Sequence, residues 1–149
     1  MPVVYRSGDI TLDDADLLIN TVNVATARMG KGIALQFKTR WPSILPAYEE
    51  ACRTKALIAG GCILLPLPDG RQWGALATKH HWRNDSRLDW VASGIATLAY
   101  RARIAGVRSI AIPPPGCGNG GLDWCEVEPL VLGFLSAFDL RIYGRPSQP

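Results

Sequence analysis

Ser109-Ile110-Ala111-Ile112 is a short, apolar, partly β-branched run of the kind a buried strand requires. It leads directly into Pro113-Pro114-Pro115-Gly116-Cys117-Gly118-Asn119-Gly120-Gly121-Leu122-Asp123-Trp124. Four glycines within six residues, at 116, 118, 120 and 121, open the backbone to positive φ and remove the Cβ that would hold a ligand off the amides. Asp123 can N-cap the segment that follows, and Glu126 three residues on completes a capping-box pattern. Strand, glycine loop and helix start, in that order, make a cradle for phosphate or pyrophosphate out of oriented amide dipoles. The same residues also suit a simpler description, a tight glycine-rich turn.

Met29-Gly30-Lys31-Gly32 is a second glycine hinge ahead of a helix start. Two such cradles in one chain suit a diphosphate better than a lone phosphate. Two familiar nucleotide motifs do not apply. Ala25 and Gly32 stand where the Walker A pattern needs Gly and Ser or Thr. Gly116-x-Gly118-x-x-Gly121 matches the dinucleotide fingerprint literally, but only 28 residues follow it, too few for the rest of a Rossmann half.

The remaining elements follow from pattern. Val3-Val4-Tyr5 reads as a strand, Ser7-Gly8-Asp9 as a turn, and Leu17–Asn20 as a second strand, which Thr21–Asn23 carries out into a loop over 24–31. Helical spacing begins at Gly32, with Ile33, Ala34, Phe37 and Trp41 on one face, and Pro42 ends it. Ser43 is placed to cap a further helix through Leu45, Tyr48, Ala51 and Cys52. Cys62–Leu65 and Trp73–Thr78 flank the turn Pro68-Asp69-Gly70-Arg71 as a hairpin. Ser86 is placed to cap a long helix whose buried stripe is Leu88, Val91, Ala92, Ile95, Leu98, Ala99 and Ala102, stopped by Gly106. After the glycine loop comes a helix with Leu130, Val131, Phe134 and Phe138 inward, kinked or restarted at Pro129, and then a last strand, Leu140–Tyr143. Strands and helices alternate, which predicts an α/β fold with helices on both faces of a mixed sheet, as a single domain over 1–149.

Several classes are not supported. No apolar run approaches the ~20 residues of a membrane helix, and the N-terminus has no basic segment followed by a hydrophobic one, so neither a span nor a signal peptide is expected. A cytoplasmic protein is the expectation. Cys52, Cys62, Cys117 and Cys125 form no C-x-x-C pair and no zinc-finger spacing, and His80-His81 cannot make a helical metal pair, so no metal or cofactor is expected. Cys117 suits a small buried filler better than a nucleophile, since no base is arranged for it. A net charge of +3 fits a polyanionic ligand without naming one.

Among polar residues, Asn20 and Asn23 flank the exit of a buried strand, as turn residues or as partners for sugar hydroxyls. Lys79 stands where a strand gives way to a loop, at the edge where α/β folds keep their ligands; a solvated surface lysine is the plainer description. Trp82 and Trp124 are core or rim, and spacing does not decide.

Taken together, Gly8-Asp9-Ile10, Ile19-Asn20-Thr21-Val22-Asn23 and Met29–Lys38 resemble the macrodomains, three-layer α/β/α modules that bind ADP-ribose around a mixed, mostly parallel sheet. Thr78-Lys79-x-His81-Trp82-Arg83-x-x-Ser86 and Gly116-x-Gly118-Asn119-Gly120-Gly121-Leu122-Asp123-Trp124 narrow the likeness to the DarG-type DNA ADP-ribosyl glycohydrolases. Those enzymes are antitoxins that remove ADP-ribose from thymine in single-stranded DNA, reversing a DNA ADP-ribosyltransferase toxin. The resemblance implies ADP-ribose or ADP-ribosylated single-stranded DNA as ligand and a cognate transferase as partner. It implies that Asp9 and Ile10 hold the adenine, with Tyr143 stacking on it, and that Asn20 and Asn23 sit by the distal ribose. Gly30, Lys31, Gly32 and Ile33 would line one side of the diphosphate. Gly116, Cys117, Gly118, Asn119, Gly120, Gly121 and Leu122 would line the other, with Thr78 and Pro114 completing the set.

Lys79 matches the catalytic lysine of this group. Its implied role is to attack the anomeric carbon of the distal ribose as an uncharged amine, a form favoured by desolvation or by nearby positive charge such as Arg83 or Lys31. There are departures. Relatives that clear acidic side chains carry an aspartate two residues after Gly-Cys-Gly, where this sequence has Gly120. Val24-Ala25-Thr26-Ala27-Arg28 replaces the Cys-Val-Gly-Val that the group often has. Proteins of this group commonly continue into a further C-terminal region, so this sequence is either a minimal stand-alone form or a part of a longer chain. A module that binds ADP-ribose without cleaving it, and a hydrolase of protein-linked ADP-ribose or of ADP-ribose 1″-phosphate, remain as alternatives.

Overall fold

The computed structural model describes residues 2–26, 29–30 and 32–144. The elements run β1 (Val3–Arg6), a 3-10 turn (Ile10–Leu12), β2 (Leu17–Asn23), α1 (Gly32–Arg40), α2 (Ile44–Arg53), β3 (Cys62–Pro66), β4 (Gln72–Lys79), α3 (Leu88–Ile104), β5 (Ser109–Ile112), α4 (Trp124–Leu135) and β6 (Asp139–Tyr143). They build one 6-stranded sheet in the order β1-β6-β5-β2-β4-β3. Every neighbouring pair is parallel except β3 with β4, the antiparallel hairpin. The expected mixed, mostly parallel α/β/α architecture is what forms.

Alternation along the inner strands distributes the core. Leu17 and Ile19 of β2 join Leu76, Ile110, Ile112, Leu140 and Ile142 beneath α3 and α4. Leu18 and Val22 face the other way, with Trp73, Ala75, Ala77 and Ala111, beneath α1, α2 and the 3-10 turn. β5 is buried along its whole length, as expected for an unbroken apolar run in a parallel sheet covered on both faces.

Several local expectations are corrected. β2 stays in the sheet through Asn23 rather than leaving at Asn20, because β4 pairs with it along that whole length. Ser43 precedes α2, but its side chain makes no capping bond. Arg87, not Ser86, occupies the cap position of α3, since the chain is still pinned to the glycine loop at Ser86. Leu88 therefore lies exposed, outside the buried stripe. α4 runs unbroken through Pro129. Its inward stripe is Trp124, Val127, Val131 and Leu135, which leaves Phe134 exposed and Leu130 only partly buried.

Candidate active site

Because β1, β6, β5, β2 and β4 are parallel, their C-terminal ends open on one edge of the sheet, where α/β folds bind ligands. Lys79 closes β4 there. Val22 pairs with Ala77 but Asn23 pairs with Lys79, so β4 carries one extra residue, Thr78, at the very end of the pairing. Such a slip re-aims the side chains beyond it, and it sets Asn23 and Lys79 side by side. Lys79 Nζ donates to the carbonyl of Asn119 at 2.9 Å and to that of Trp82 at 3.3 Å. Both acceptors are backbone, so the conformation of two loops fixes the amine. The Asn119 bond puts it at the middle of the glycine loop.

That loop is held by its own backbone. Leu122 N–H donates to Gly116 O at 2.9 Å and Gly121 N–H to Gly118 O at 3.2 Å. The intervening amides of Gly118, Asn119 and Gly120 donate to no described residue. Gly116 takes φ +73° and Gly121 φ +78°. A Cβ on Gly120 would stand 2.4 Å from Gly116 O and 2.4 Å from Ser86 Oγ. The loop as folded leaves no room for a side chain at 120. A Cβ on Gly118 or Gly30 would meet no heavy atom within 4 Å; packing does not account for glycine at these two. Asp123 caps α4 as expected, accepting from Cys125 N–H at 2.9 Å.

The second hinge leads into the first turn of α1, with Gly32 at φ +55° and Ile33 partly buried against the core. Lys31 lies outside the described residues. Of the adenine candidates, Asp9 accepts from Thr11 N–H at 2.9 Å and Thr11 Oγ1 at 2.7 Å, both through Oδ1. Ile10 is a core side chain, so it offers a ligand only its backbone. Tyr143 gives its hydroxyl to Asp13 Oδ2 at 2.5 Å, in a network where Asp13 also takes Arg6 at 3.0 Å and Arg141 at 2.6 Å. Burial pushes the Asp13 carboxyl up, but bonds from Tyr143 and Arg141 outweigh it and hold the group below its ordinary range.

The two asparagines separate. Asn23 is partly buried and accepts from Thr26 Oγ1 at 2.9 Å. Asn20 points the same way as Leu18 and Val22, has no exposed surface, and bonds through neither Oδ1 nor Nδ2. Its amide lies beneath the surface, whereas Asn23 is only partly covered. Thr78 is likewise buried, and Pro114 is partly so. Burial, with the Asp123 charge second, pushes the Cys117 thiol up to about 11, in keeping with a filler. Arg83 lies against the Trp82 ring, 4.9 Å from its centroid. Trp124 is buried and Trp82 is exposed, which decides that pair.

Two structural residues were not expected here. His80 O accepts from Val24 N–H at 3.1 Å and Ala25 N–H at 2.6 Å, tying the loop after β2 to the one after β4. Ser86 N–H donates to Gly120 O at 2.9 Å. A serine before a helix reads as a cap whichever of these jobs it does, so sequence spacing carried no signal for it.

The Macro domain family model matches residues 19–131. The chain is 41% identical over 129 residues to a DNA ADP-ribosyl glycohydrolase of Mycobacterium tuberculosis, covering 85% of this chain but 36% of that protein. The chain thus spans little more than a third of that relative's length. The solved macrodomain of Mycobacterium tuberculosis DarG superimposes with a TM-score of 0.90 at 38% identity over 99% of each chain. Thermosipho africanus DarTG in complex with ADP-ribose superimposes at 0.84 with 28% identity, covering 95% of this chain and 41% of that one. A parallel sheet edge with bare amides and a fixed lysine, together with a family model spanning most of the chain, makes this a member of the macrodomain family.

Proposed function

We propose that this chain, as a single macrodomain over 1–149, hydrolyses the N-glycosidic bond between ADP-ribose and thymine in single-stranded DNA, acting in the cytoplasm against a cognate DNA ADP-ribosyltransferase. The observation that carries the reading is the 2.9 Å bond from Lys79 Nζ to Asn119 O. It joins the one candidate nucleophile to the loop whose amides are open to a diphosphate.

Gly118 to Gly120 on one side, and Gly30, Lys31, Gly32 and Ile33 on the other, would bind the diphosphate and present the distal ribose to Lys79, with Asn23 beside it. Asp9, the Ile10 backbone and Tyr143 would take the adenine end. The amine attacks the anomeric carbon; an N–C bond forms, the glycosidic bond breaks, and its electron pair leaves with the thymine nitrogen, which is then protonated. Water releases ADP-ribose from the lysine. Oriented amides stabilise the ligand's charge throughout.

A second reading, binding without cleavage, draws on Gly120: the position that holds an acid in relatives has no room for one. Incubation with an ADP-ribosylated oligonucleotide separates the two. Wild type is expected to release ADP-ribose and Lys79→Ala to lose at least a hundredfold in rate. Equal release by both would remove the role of Lys79, and tight ADP-ribose binding with no turnover by wild type would establish the second reading.

A further inference from the structure

The β4–α3 loop carries a stack that the core does not explain. Trp82 is 48% exposed, three residues beyond Lys79, and its own carbonyl accepts from Lys79 Nζ. The His81 ring lies on the indole with centroids 5.8 Å apart and planes at 26°. The Arg83 guanidinium carbon is 4.9 Å from the indole centroid. The Arg83 backbone N–H donates to His81 Nδ1 at 3.1 Å, which sets the imidazole plane, so the three side chains lie together as one planar cluster. A similar pair follows, with Arg87 5.0 Å from the Trp90 ring, although Arg87 also pairs with Asp89. The carboxylate between Lys79 and Arg87, Asp85, lies against Gly121, 3.4 Å from where its Cβ would be.

We propose that His81, Trp82 and Arg83 form a platform for the nucleotides flanking the modified thymine, with a base stacking on the unit and Arg83 facing a neighbouring phosphate. The inference rests on the reading of single-stranded DNA as substrate. Its physical basis is that single strands are held by aromatic and guanidinium planes with cationic groups alongside, without need of a sequence code. A strand whose modified base is presented to Lys79 must pass beside the residue whose carbonyl holds that amine.

The test compares wild type, Trp82→Ala, Trp82→Phe and Arg83→Gln on two substrates: an ADP-ribosylated single-stranded oligonucleotide and ADP-ribosylated thymidine. Trp82→Ala is expected to lower kcat/KM on the oligonucleotide about tenfold more than on the nucleoside, through KM, in line with the stacking of one base. Trp82→Phe should restore most of the loss. In parallel, fluorescence anisotropy with the unmodified oligonucleotide should show about tenfold weaker binding by Trp82→Ala and a shallower salt dependence for Arg83→Gln. Equal losses on both substrates, or unchanged anisotropy, would overturn the platform. If wild type cleaves neither substrate, the proposed activity falls, and anisotropy alone decides the platform: weaker binding by Trp82→Ala supports it, and unchanged binding overturns it.

Discussion

Replacing Gly120 by alanine puts a methyl group where the glycine loop has no space. The added carbon would lie 2.4 Å from Gly116 O, 2.4 Å from Ser86 Oγ and 2.8 Å from the Gly116 carbonyl carbon. The serine hydroxyl can rotate, but the Gly116 carbonyl is backbone, fixed by its 2.9 Å bond from Leu122 N–H. Relief therefore requires the loop to shift and that bond to lengthen. Overpacking costs about 1–3 kcal/mol and a weakened hydrogen bond about 1 kcal/mol more, for a total of about 2–4 kcal/mol. In a chain of 149 residues each kcal/mol moves Tm by about 2–4 °C, so a drop of about 4–16 °C is expected. Gly118→Ala is the control, since nothing lies within 4 Å of its Cβ; its Tm should stay within about 2 °C. Circular dichroism melts measure both, and calorimetry with ADP-ribose measures the site. Gly118→Ala should weaken ADP-ribose about tenfold, the cost of spoiling one charge-assisted amide bond. A wild-type melt for Gly120→Ala would refute the packing described for the loop. Wild-type affinity for Gly118→Ala would refute the role of its bare amide.

Three further outcomes follow from the same geometry. Asp13 is held below its ordinary range in the fold, so its contribution is complete above the usual carboxylate value near 4 and is lost as pH falls through the lower, native one. Asp13→Asn should cost about 3 kcal/mol at neutral pH and flatten the acid limb of a stability-versus-pH curve measured by urea denaturation; an unchanged limb contradicts this. Asp123→Ala should lose about 1 kcal/mol as a helix cap, while Asp123→Asn should keep both Tm and turnover; loss of turnover at unchanged Tm would make Asp123 part of the chemistry. Cys117, partly buried and with its thiol raised to about 11, should react slowly with iodoacetamide at neutral pH, and Cys117→Ala should retain turnover; fast alkylation would contradict the raised thiol.

The parts of the fold legible in the sequence are those set by short-range pattern. The apolar run 109–112, the glycine loop and the Asp123 cap all depend on neighbours within a few residues, and all three form as expected. The hairpin Cys62–Pro66 with Gln72–Lys79 was marked by its turn residues. What was not legible depends on partners distant in the chain. The slip that pairs Asn23 with Lys79 is a matter of register between β2 and β4, which neither strand encodes alone. Ser86 serves the glycine loop because Gly120 packs on it, and its residue type suits a cap equally well. Phe134 and Leu130 lie one step around α4 from the buried Val131 and Leu135, and the helical pattern tolerated either stripe. Asn20 and Asn23 share a residue type and a strand, yet the first is buried and the second only partly so, a difference set by packing from distant elements.

The account depends on the open amides and the Lys79 amine meeting one ligand. A crystal structure with ADP-ribose bound measures this directly. The diphosphate is expected between the amides of Gly118–Gly120 and the start of α1, with the anomeric carbon of the distal ribose within contact of Lys79 Nζ. A diphosphate bound elsewhere, or a ribose turned so that its anomeric carbon is out of reach of that amine, would contradict it.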